Sequence, residues 1–105
     1  MMDHKLRRIV DEDRRLVFLK LLGTQGDYSL PHFALRDALA QLGHSEPLDK
    51  IKVDAAWLEE QDLVTVTHPA PDLEVYKLTP RGRDVSKGMS VVPGVKRPEP
   101  GLDDF

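Results

Sequence analysis

Hydrophobic residues recur with the period of an α-helix in three stretches of this chain, which predicts three helices. The stretches cover residues 3–22, 31–43 and 47–61, and each ends at a glycine or a polar turn. A proline opens the second and the third stretch, where the N–H that proline lacks would have no partner in any case. We expect Ser45 or Glu46 to cap the third helix, because a side-chain oxygen is favoured at that position.

Two runs rich in β-branched and aromatic residues, LVTVT (63–67) and EVYKL (74–78), predict two strands after the third helix. The six residues between them, HPAPDL, predict a loop that joins the strands as a hairpin. The segment TPRGRDVSKG (79–88) opens with threonine and proline, which predicts a short fourth helix capped by the threonine. A further bridging strand can form at YSL (28–30).

Two helices joined by a short turn and followed directly by a β-hairpin describe a winged helix-turn-helix. The predicted fold class is therefore α+β and mostly α, with a three-helix core, a two- or three-stranded wing, a short C-terminal helix and an extended tail. A chain of 105 residues has room for one modest core, so we place a single domain at residues 1–88. Residues 89–105 contain prolines and glycines without an amphipathic period, and we expect a tail that is mobile or docked on a partner.

The formal net charge of −3 does not favour nucleic acid, but the charges are unevenly distributed. Residues 1–20 hold six basic and four acidic side chains, and residues 77–97 hold six basic and one acidic side chain. Residues 45–62, which include the third helix, hold two basic and six acidic side chains. The basic ends are therefore the parts that we expect to attract phosphates.

The residue types also exclude several kinds of chemistry. The absence of cysteine removes disulfides, thiolate metal sites and cysteine nucleophiles. The four histidines are far apart without partners at metal-ligand spacing, and there is no glycine-rich phosphate loop. No apolar run is long enough to cross a bilayer. We expect a cytoplasmic protein that is not an enzyme, binds no metal or cofactor and does not enter a membrane.

The segment VDAAWLEEQDLVTVTHPAPDLEVYKLTPRGRDV (53–85) resembles the part of ArsR/MarR-type transcriptional regulators that runs from the recognition helix into the wing. In those proteins a Leu-Glu-Glu-x-Gly-Leu-Val step enters the wing and a Leu-Thr-x-x-Gly step leaves it. The corresponding steps here are LEEQDLV (58–64) and LTPRG (78–82). Asp62 takes the place of the usual glycine, at a turn that needs a positive φ.

A narrower resemblance, to small winged-helix proteins of Mu-like phages and prophages, is carried by DEDRRLVFLKLL (11–22) and VPGVKRPEP (92–100). Together the resemblances imply a DNA-binding transcriptional regulator of a phage or prophage. They imply further that it acts as a homodimer on double-stranded DNA, in the cytoplasm of a bacterial host cell. The two subunits would then read half-sites about one helical turn apart.

The resemblance implies that the third helix enters the major groove. Lysine there contacts phosphate or guanine, and valine contacts a thymine methyl group. A histidine on the wing and a basic pair in the tail are placed to contact the DNA backbone or minor groove. The residues expected to contact DNA are Ser45, Asp49, Lys50, Lys52, Val53, His68, Lys96 and Arg97.

The alternative interpretation is a winged helix used for protein–protein interaction in phage assembly or DNA packaging. It is favoured by the acidic third helix and by a wing without lysine or arginine at its tip. Trp57 either packs against the wing or anchors a partner. The residues expected at a partner or dimer interface are Leu6, Ile9, Val10 and Trp57. A continuous basic surface would favour DNA, and acidic patches that interrupt it would favour a protein partner.

Overall fold

Helices and strands follow the predicted order in the structure, a computed structural model that describes residues 3–99. Within that range the helices are α1 (His4–Gly23), α2 (His32–Gln41), α3 (Leu48–Glu60) and α4 (Pro80–Ser86). The strands are β1 (Ser29–Pro31), β2 (Val64–Ala70) and β3 (Leu73–Leu78). The predicted α+β fold class is confirmed. The ends of the predicted domain and tail, residues 1–2 and 100–105, lie outside the described residues.

The second half of α1 forms the centre of the hydrophobic core, whereas its first half stands clear of it. The helix begins at Asp3, whose carboxylate accepts a hydrogen bond from the backbone N–H of Leu6 at 2.8 Å. Residues 3–9 are all exposed. The buried side chains of the second half include Leu16, Phe18, Leu19 and Leu22. The first two turns of α1 are therefore available to contact another molecule.

The sheet is antiparallel, with strand order β1-β3-β2. The predicted loop over residues 68–73 is wrong, because β2 continues to Ala70 and leaves a turn of only two residues at 71–72. The pairing register shifts between Thr67 and Ala70. This bulge accommodates Pro69, which has no N–H to donate to the neighbouring strand.

The junction between α3 and β2 has the left-handed conformation predicted from the sequence. Asp62 adopts a φ of 62°. The N–H of Leu63 donates to the carbonyl of Leu58 at 2.9 Å, and the Thr79 hydroxyl donates to the carbonyl of Asp62 at 2.7 Å. The turn between α3 and β2 is thus stabilised by one hydrogen bond to the end of α3 and one from Thr79. These bonds offset the conformational cost of a non-glycine residue at a positive φ.

The start of α4 packs directly against the start of β2. Thr79 caps α4 by accepting a hydrogen bond from the N–H of Gly82 at 2.9 Å, and Pro80 takes the first helical position, so both predictions for this helix are confirmed. A Cβ atom at Gly82 would lie 2.0 Å from the carbonyl oxygen of Leu63. The glycine of the LTPRG step is therefore needed because two backbone segments touch there.

The predicted cap of α3 is wrong. Pro47 itself occupies the cap position and has no side-chain oxygen to offer, so no side-chain hydrogen bond closes this end of the helix. The Glu46 carboxylate lies 3.8 Å from the Arg14 guanidinium instead, and Ser45 is exposed. The helix begins one residue later than predicted, at Leu48.

Residues 89–99 contain no helix or strand, yet they pack on the domain. Val92 and Val95 are buried in the common core. The carbonyl of Gly94 accepts a hydrogen bond from Arg15 at 2.9 Å, and the N–H of Lys96 donates to the carbonyl of Glu12 at 3.1 Å. This part of the predicted tail is docked on its own α1, whereas the sequence predicted mobility or a partner.

Candidate nucleic-acid interface

Helix α3 is held in the fold by apolar contacts and by one buried ion pair. Ile51, Ala55 and Leu58 are fully buried on its inner face. Asp54 lies on the same face and is only 1% exposed. A buried carboxylate requires a partner, because the desolvation of an unpaired charge is very unfavourable.

The main partner is Arg14 of α1, which is also 1% exposed, and Arg15 Nε lies 3.7 Å from Asp54 Oδ1. Arg14 Nε lies 2.5 Å from Asp54 Oδ2, and Arg14 Nη2 lies 3.1 Å from Asp54 Oδ1. The Arg14 guanidinium therefore donates hydrogen bonds to both carboxylate oxygens. Asp11 accepts a further hydrogen bond from Nη2 at 3.0 Å. Burial alone would lower the pKa of Arg14, but the hydrogen bonds and charges of Asp54 and Asp11 raise it. The guanidinium therefore remains charged, and its hydrogen bonds to Asp54 fix α3 against α1.

The opposite face of α3 is uncovered within the described chain. Asp49, Val53, Ala56 and Glu60 recur at helical spacing and are exposed, and Val53 is 61% exposed. Glu59 is also exposed, and its carboxylate accepts a hydrogen bond from the N–H of Val66, which ties α3 to β2. This face carries Asp49 near its start and Glu60 near its end, and no cation is among its exposed residues.

Lys50 and Lys52 lie on opposite flanks of this exposed face. Lys50 is half-buried and shares a cleft of about 250 Å³ with Arg7 and other residues of α1. Lys52 is half-buried on the other flank, near Glu74 of β3, and its charge helps to lower the pKa of that carboxyl. The exposed face is therefore bordered by cations on both sides but is not a continuous basic surface.

The turn end of the hairpin, residues 67–74, carries no lysine or arginine. His68 is exposed on β2, and its Nε2 lies 3.2 Å from Glu74 Oε2. The Tyr76 hydroxyl donates to the other oxygen of Glu74 at 2.7 Å. Burial would raise the pKa of Glu74, but the hydrogen bonds from Tyr76 and His68 outweigh it and lower the pKa. This ionised carboxylate therefore offsets the positive charge of Lys52.

The basic pair of the tail lies beside α1. The Lys96 ammonium is 3.4 Å from Asp13 Oδ1, and the other oxygen of Asp13 is 2.7 Å from His44 Nε2. Arg97 is exposed. The structure thus does not bring Lys96 to the exposed face of α3, although the sequence grouped these residues in one DNA site.

The predicted interface residues fall into two separate places. On α1, Leu6 is 50% exposed, Ile9 is 55% exposed and Val10 is half-buried, so they form an accessible apolar stripe. Trp57 is half-buried within the chain instead. The Arg15 guanidinium lies 4.4 Å from its ring centroid, and Gly94 packs against its edge.

Sequence reasoning missed the Arg14–Asp54 pair and the contribution of Arg7. One signal for the pair was available: Asp54 occurs three residues after Ile51 and four before Leu58, on the stripe that a helix buries. A carboxylate at a core position calls for a buried cation. Which cation pairs with Asp54 depends on a contact with Arg14, 40 residues away in the sequence, and local spacing does not reveal such a contact.

Two further observations concern residues 3–99. No group of three or more histidine and acidic side chains in this part of the chain is arranged to hold a metal ion. None of the described helices has the length and apolar character required to cross a membrane.

Comparison with known proteins places the chain among phage proteins. It is 41% identical over 95 residues to the uncharacterized protein gp26 of Escherichia phage Mu, and the match covers 88% of this chain and 94% of gp26. It is 31% identical over 75 residues to an uncharacterized protein of Haemophilus influenzae, a match that covers 71% of this chain and 72% of that protein. No protein-family model matches, and no solved structure gives a significant match.

The α+β chain described above is therefore a protein of Mu-like phage type. It belongs to the family of gp26 of Escherichia phage Mu. The resemblance to proteins of Mu-like phages that the sequence suggested is confirmed by this relationship.

Proposed function

We propose that this chain is a winged-helix DNA-binding protein that acts as a homodimer in the transcriptional regulation of a phage or prophage. The observation that carries the proposal is the exposed face of α3, which follows α2 after a short connection and leads directly into a hairpin. This is the order of elements in which a winged helix presents its recognition helix.

The rigidity of α3 supports this role. Its inner face is fully buried, and the Arg14–Asp54 pair ties it to α1. A helix that reads base edges must hold its side chains in register with the major groove, so a fixed position favours specific contacts. Val53, at the middle of the exposed face, is placed for an apolar contact with a thymine methyl group.

The cations available to this face lie at its borders. Lys50 and Arg7 share one cleft, and Lys52 lies on the other flank. Flanking cations suit the two phosphate backbones that border a groove, and such contacts supply most of the affinity. In this arrangement Arg7 of α1 adds a cation beside Lys50, which the turn end of the hairpin does not supply.

The homodimer forms part of the proposal through the stripe of Leu6, Ile9 and Val10. The first two turns of α1 stand clear of the core and expose two large aliphatic side chains. Pairing of this stripe with a second copy would bury them and place two α3 helices on one duplex.

The experiment is a fluorescence-anisotropy titration of duplex fragments from the gene's own neighbourhood and of a random duplex, at two salt concentrations. We expect sequence-dependent binding that weakens as salt rises. Lys50→Ala and Lys52→Ala should each weaken binding and reduce the salt dependence by about one phosphate contact. Arg36→Ala, which removes a cation on α2, is the control and should bind normally.

A second candidate is a protein-interaction module for phage assembly or DNA packaging. It is favoured by Asp49, Glu59 and Glu60 on the exposed side of α3, and by the Glu74 carboxylate beside Lys52. An acidic face repels phosphate and suits a basic protein surface. Absence of DNA binding at low salt, with a folded and dimeric protein, would support this candidate and contradict the first.

A further inference from the structure

A cleft of about 520 Å³ opens between the residue that precedes β1, the end of β3, and α4 with the residues after it. None of its lining residues belongs to α3 or to the α2–α3 connection, so it is separate from the proposed DNA interface. Its volume is within the range of small-molecule sites in proteins.

The cleft carries an excess of positive charge. Lys77, Arg83 and Lys87 line it, and Asp84 is the one acidic residue among its lining residues. Within residues 3–99, none of the three cations forms an ion pair. Three cations therefore border a cleft whose lining holds one carboxylate, and an excess of one sign of charge around a cleft attracts ligands of the opposite sign.

Its floor includes a stacked aromatic surface. The Arg83 guanidinium lies 5.3 Å from the ring centroid of Tyr28. Tyr28 adopts a φ of 61°, a conformation that is costly for a bulky residue and that persists only where the surroundings impose it. The exposed side chain of Met89 contributes an apolar border.

We propose that this cleft binds a nucleotide, with the phosphate on the cations and the base stacked against the Tyr28–Arg83 surface. Arginine and lysine are the usual partners of phosphate oxygens. Tyrosine rings and guanidinium planes are the surfaces on which nucleobases stack. The same chemistry is offered by a free mononucleotide and by a nucleotide in a single strand, and the experiment separates these two sources.

The test is a calorimetric titration of the full chain with five probes: deoxyadenosine monophosphate, deoxyadenosine, inorganic phosphate, a single-stranded ten-residue oligodeoxyadenylate and a short polyglutamate peptide. The mononucleotide should bind at least about tenfold more tightly than the nucleoside or phosphate alone, because it uses both parts of the site. Tighter binding of the oligonucleotide than of the mononucleotide would assign the site to a single strand. The reverse order would assign it to a free nucleotide.

Arg83→Gln and Lys77→Gln should each weaken nucleotide binding by about tenfold, because each removes a charged hydrogen-bond donor. Arg36→Gln removes the same charge from an exposed position on α2, outside the cleft, and should have no effect. Lys50→Ala and Lys52→Ala should also bind the nucleotide normally, so failure of this proposal is distinguishable from failure of the DNA proposal.

Three results would overturn the inference. The first is no heat of binding with any probe at millimolar concentration. The second is equal affinity for phosphate and mononucleotide, which would leave an anion site without base stacking. The third is tighter binding of a short polyglutamate peptide than of the nucleotide, which would assign the cleft to an acidic protein segment.

Discussion

Arg14 of α1 and Asp54 of α3 form a buried, bidentate ion pair, with Arg14 Nε 2.5 Å from Asp54 Oδ2 and Arg14 Nη2 3.1 Å from Asp54 Oδ1. Both side chains are 1% exposed. The pair links α1, whose second half forms the centre of the core, to α3, which exposes the candidate DNA-binding face. It therefore sets the geometry of the proposed interface as well as contributing to the stability of the fold.

Asp54→Asn should destabilise the protein by about 3 kcal/mol, because it leaves the buried Arg14 guanidinium without its main counter-charge. Urea denaturation followed by circular dichroism measures the loss. Asp49→Asn, in the same helix but exposed, is the control and should change the free energy of unfolding by no more than about 0.5 kcal/mol.

The double substitution Arg14→Met with Asp54→Leu extends this test. It removes both charges and replaces them with apolar side chains, so it should cost less than Asp54→Asn alone. A double variant that is less stable than the single variant would show that the pair contributes net stability beyond the avoidance of an unpaired charge.

Gly82→Ala should destabilise the protein by at least about 2 kcal/mol, because the new Cβ would lie 2.0 Å from the Leu63 carbonyl oxygen, and backbone has to move. Gly26→Ala is the control, since a Cβ there meets no atom within 4 Å. Thermal denaturation of the two variants compares them directly. Equal melting temperatures would mean that α4 and β2 are not in contact.

Asp62→Gly should stabilise the protein by about 0.5–1 kcal/mol, because glycine adopts the φ of 62° without the steric cost of a side chain. The hydrogen bond from Thr79 uses the backbone carbonyl and is retained. Asp72→Gly, in the hairpin turn, has no positive φ to relieve and should be neutral or destabilising. If urea denaturation shows the same gain in the free energy of unfolding for both variants, the positive φ of Asp62 carries no conformational cost.

Gly94→Ala should loosen the segment of residues 89–99 from the domain. A Cβ atom there would lie 2.7 Å from the Trp57 ring, at a φ of 100° that disfavours any side chain. Trp57 is the single tryptophan of the chain, so its fluorescence should shift to longer wavelength as the ring becomes more exposed. Gly43→Ala has a similar φ of 94° but open space around it, and its emission should not shift.

The helical elements were predictable because their stabilising pattern is local. The spacing of Ile51, Ala55 and Leu58 is sufficient to predict α3 and its buried face, and Thr79 with Pro80 is sufficient to predict the start of α4. These signals lie within one or two helical turns.

The features that were not predictable depend on contacts between distant parts of the chain. Val92 and Val95 have no period that marks them as core residues, and their burial depends on packing against the folded domain. The strand around Pro69 was missed because proline usually ends pairing, and the bulge that tolerates it appears only in the paired sheet.

The candidate site shows the same division. The sequence grouped Asp49 and Val53 among the residues of the third helix that contact DNA, and the structure places both on one exposed face of α3. It did not show that Lys50 and Lys52 diverge toward α1 and the hairpin, or that Arg7 joins Lys50. Those relationships depend on how α1 and β3 pack against α3.

The most direct test of the central claim is nuclear magnetic resonance mapping of the chain during titration with duplex DNA from the gene's neighbourhood. We predict that the amide signals of Asp49, Val53 and Ala56 shift with added duplex, whereas those of the buried face around Ile51 change little. Shifts confined to α4 or to the tail, or no shifts at low salt, would contradict a DNA-reading role for α3.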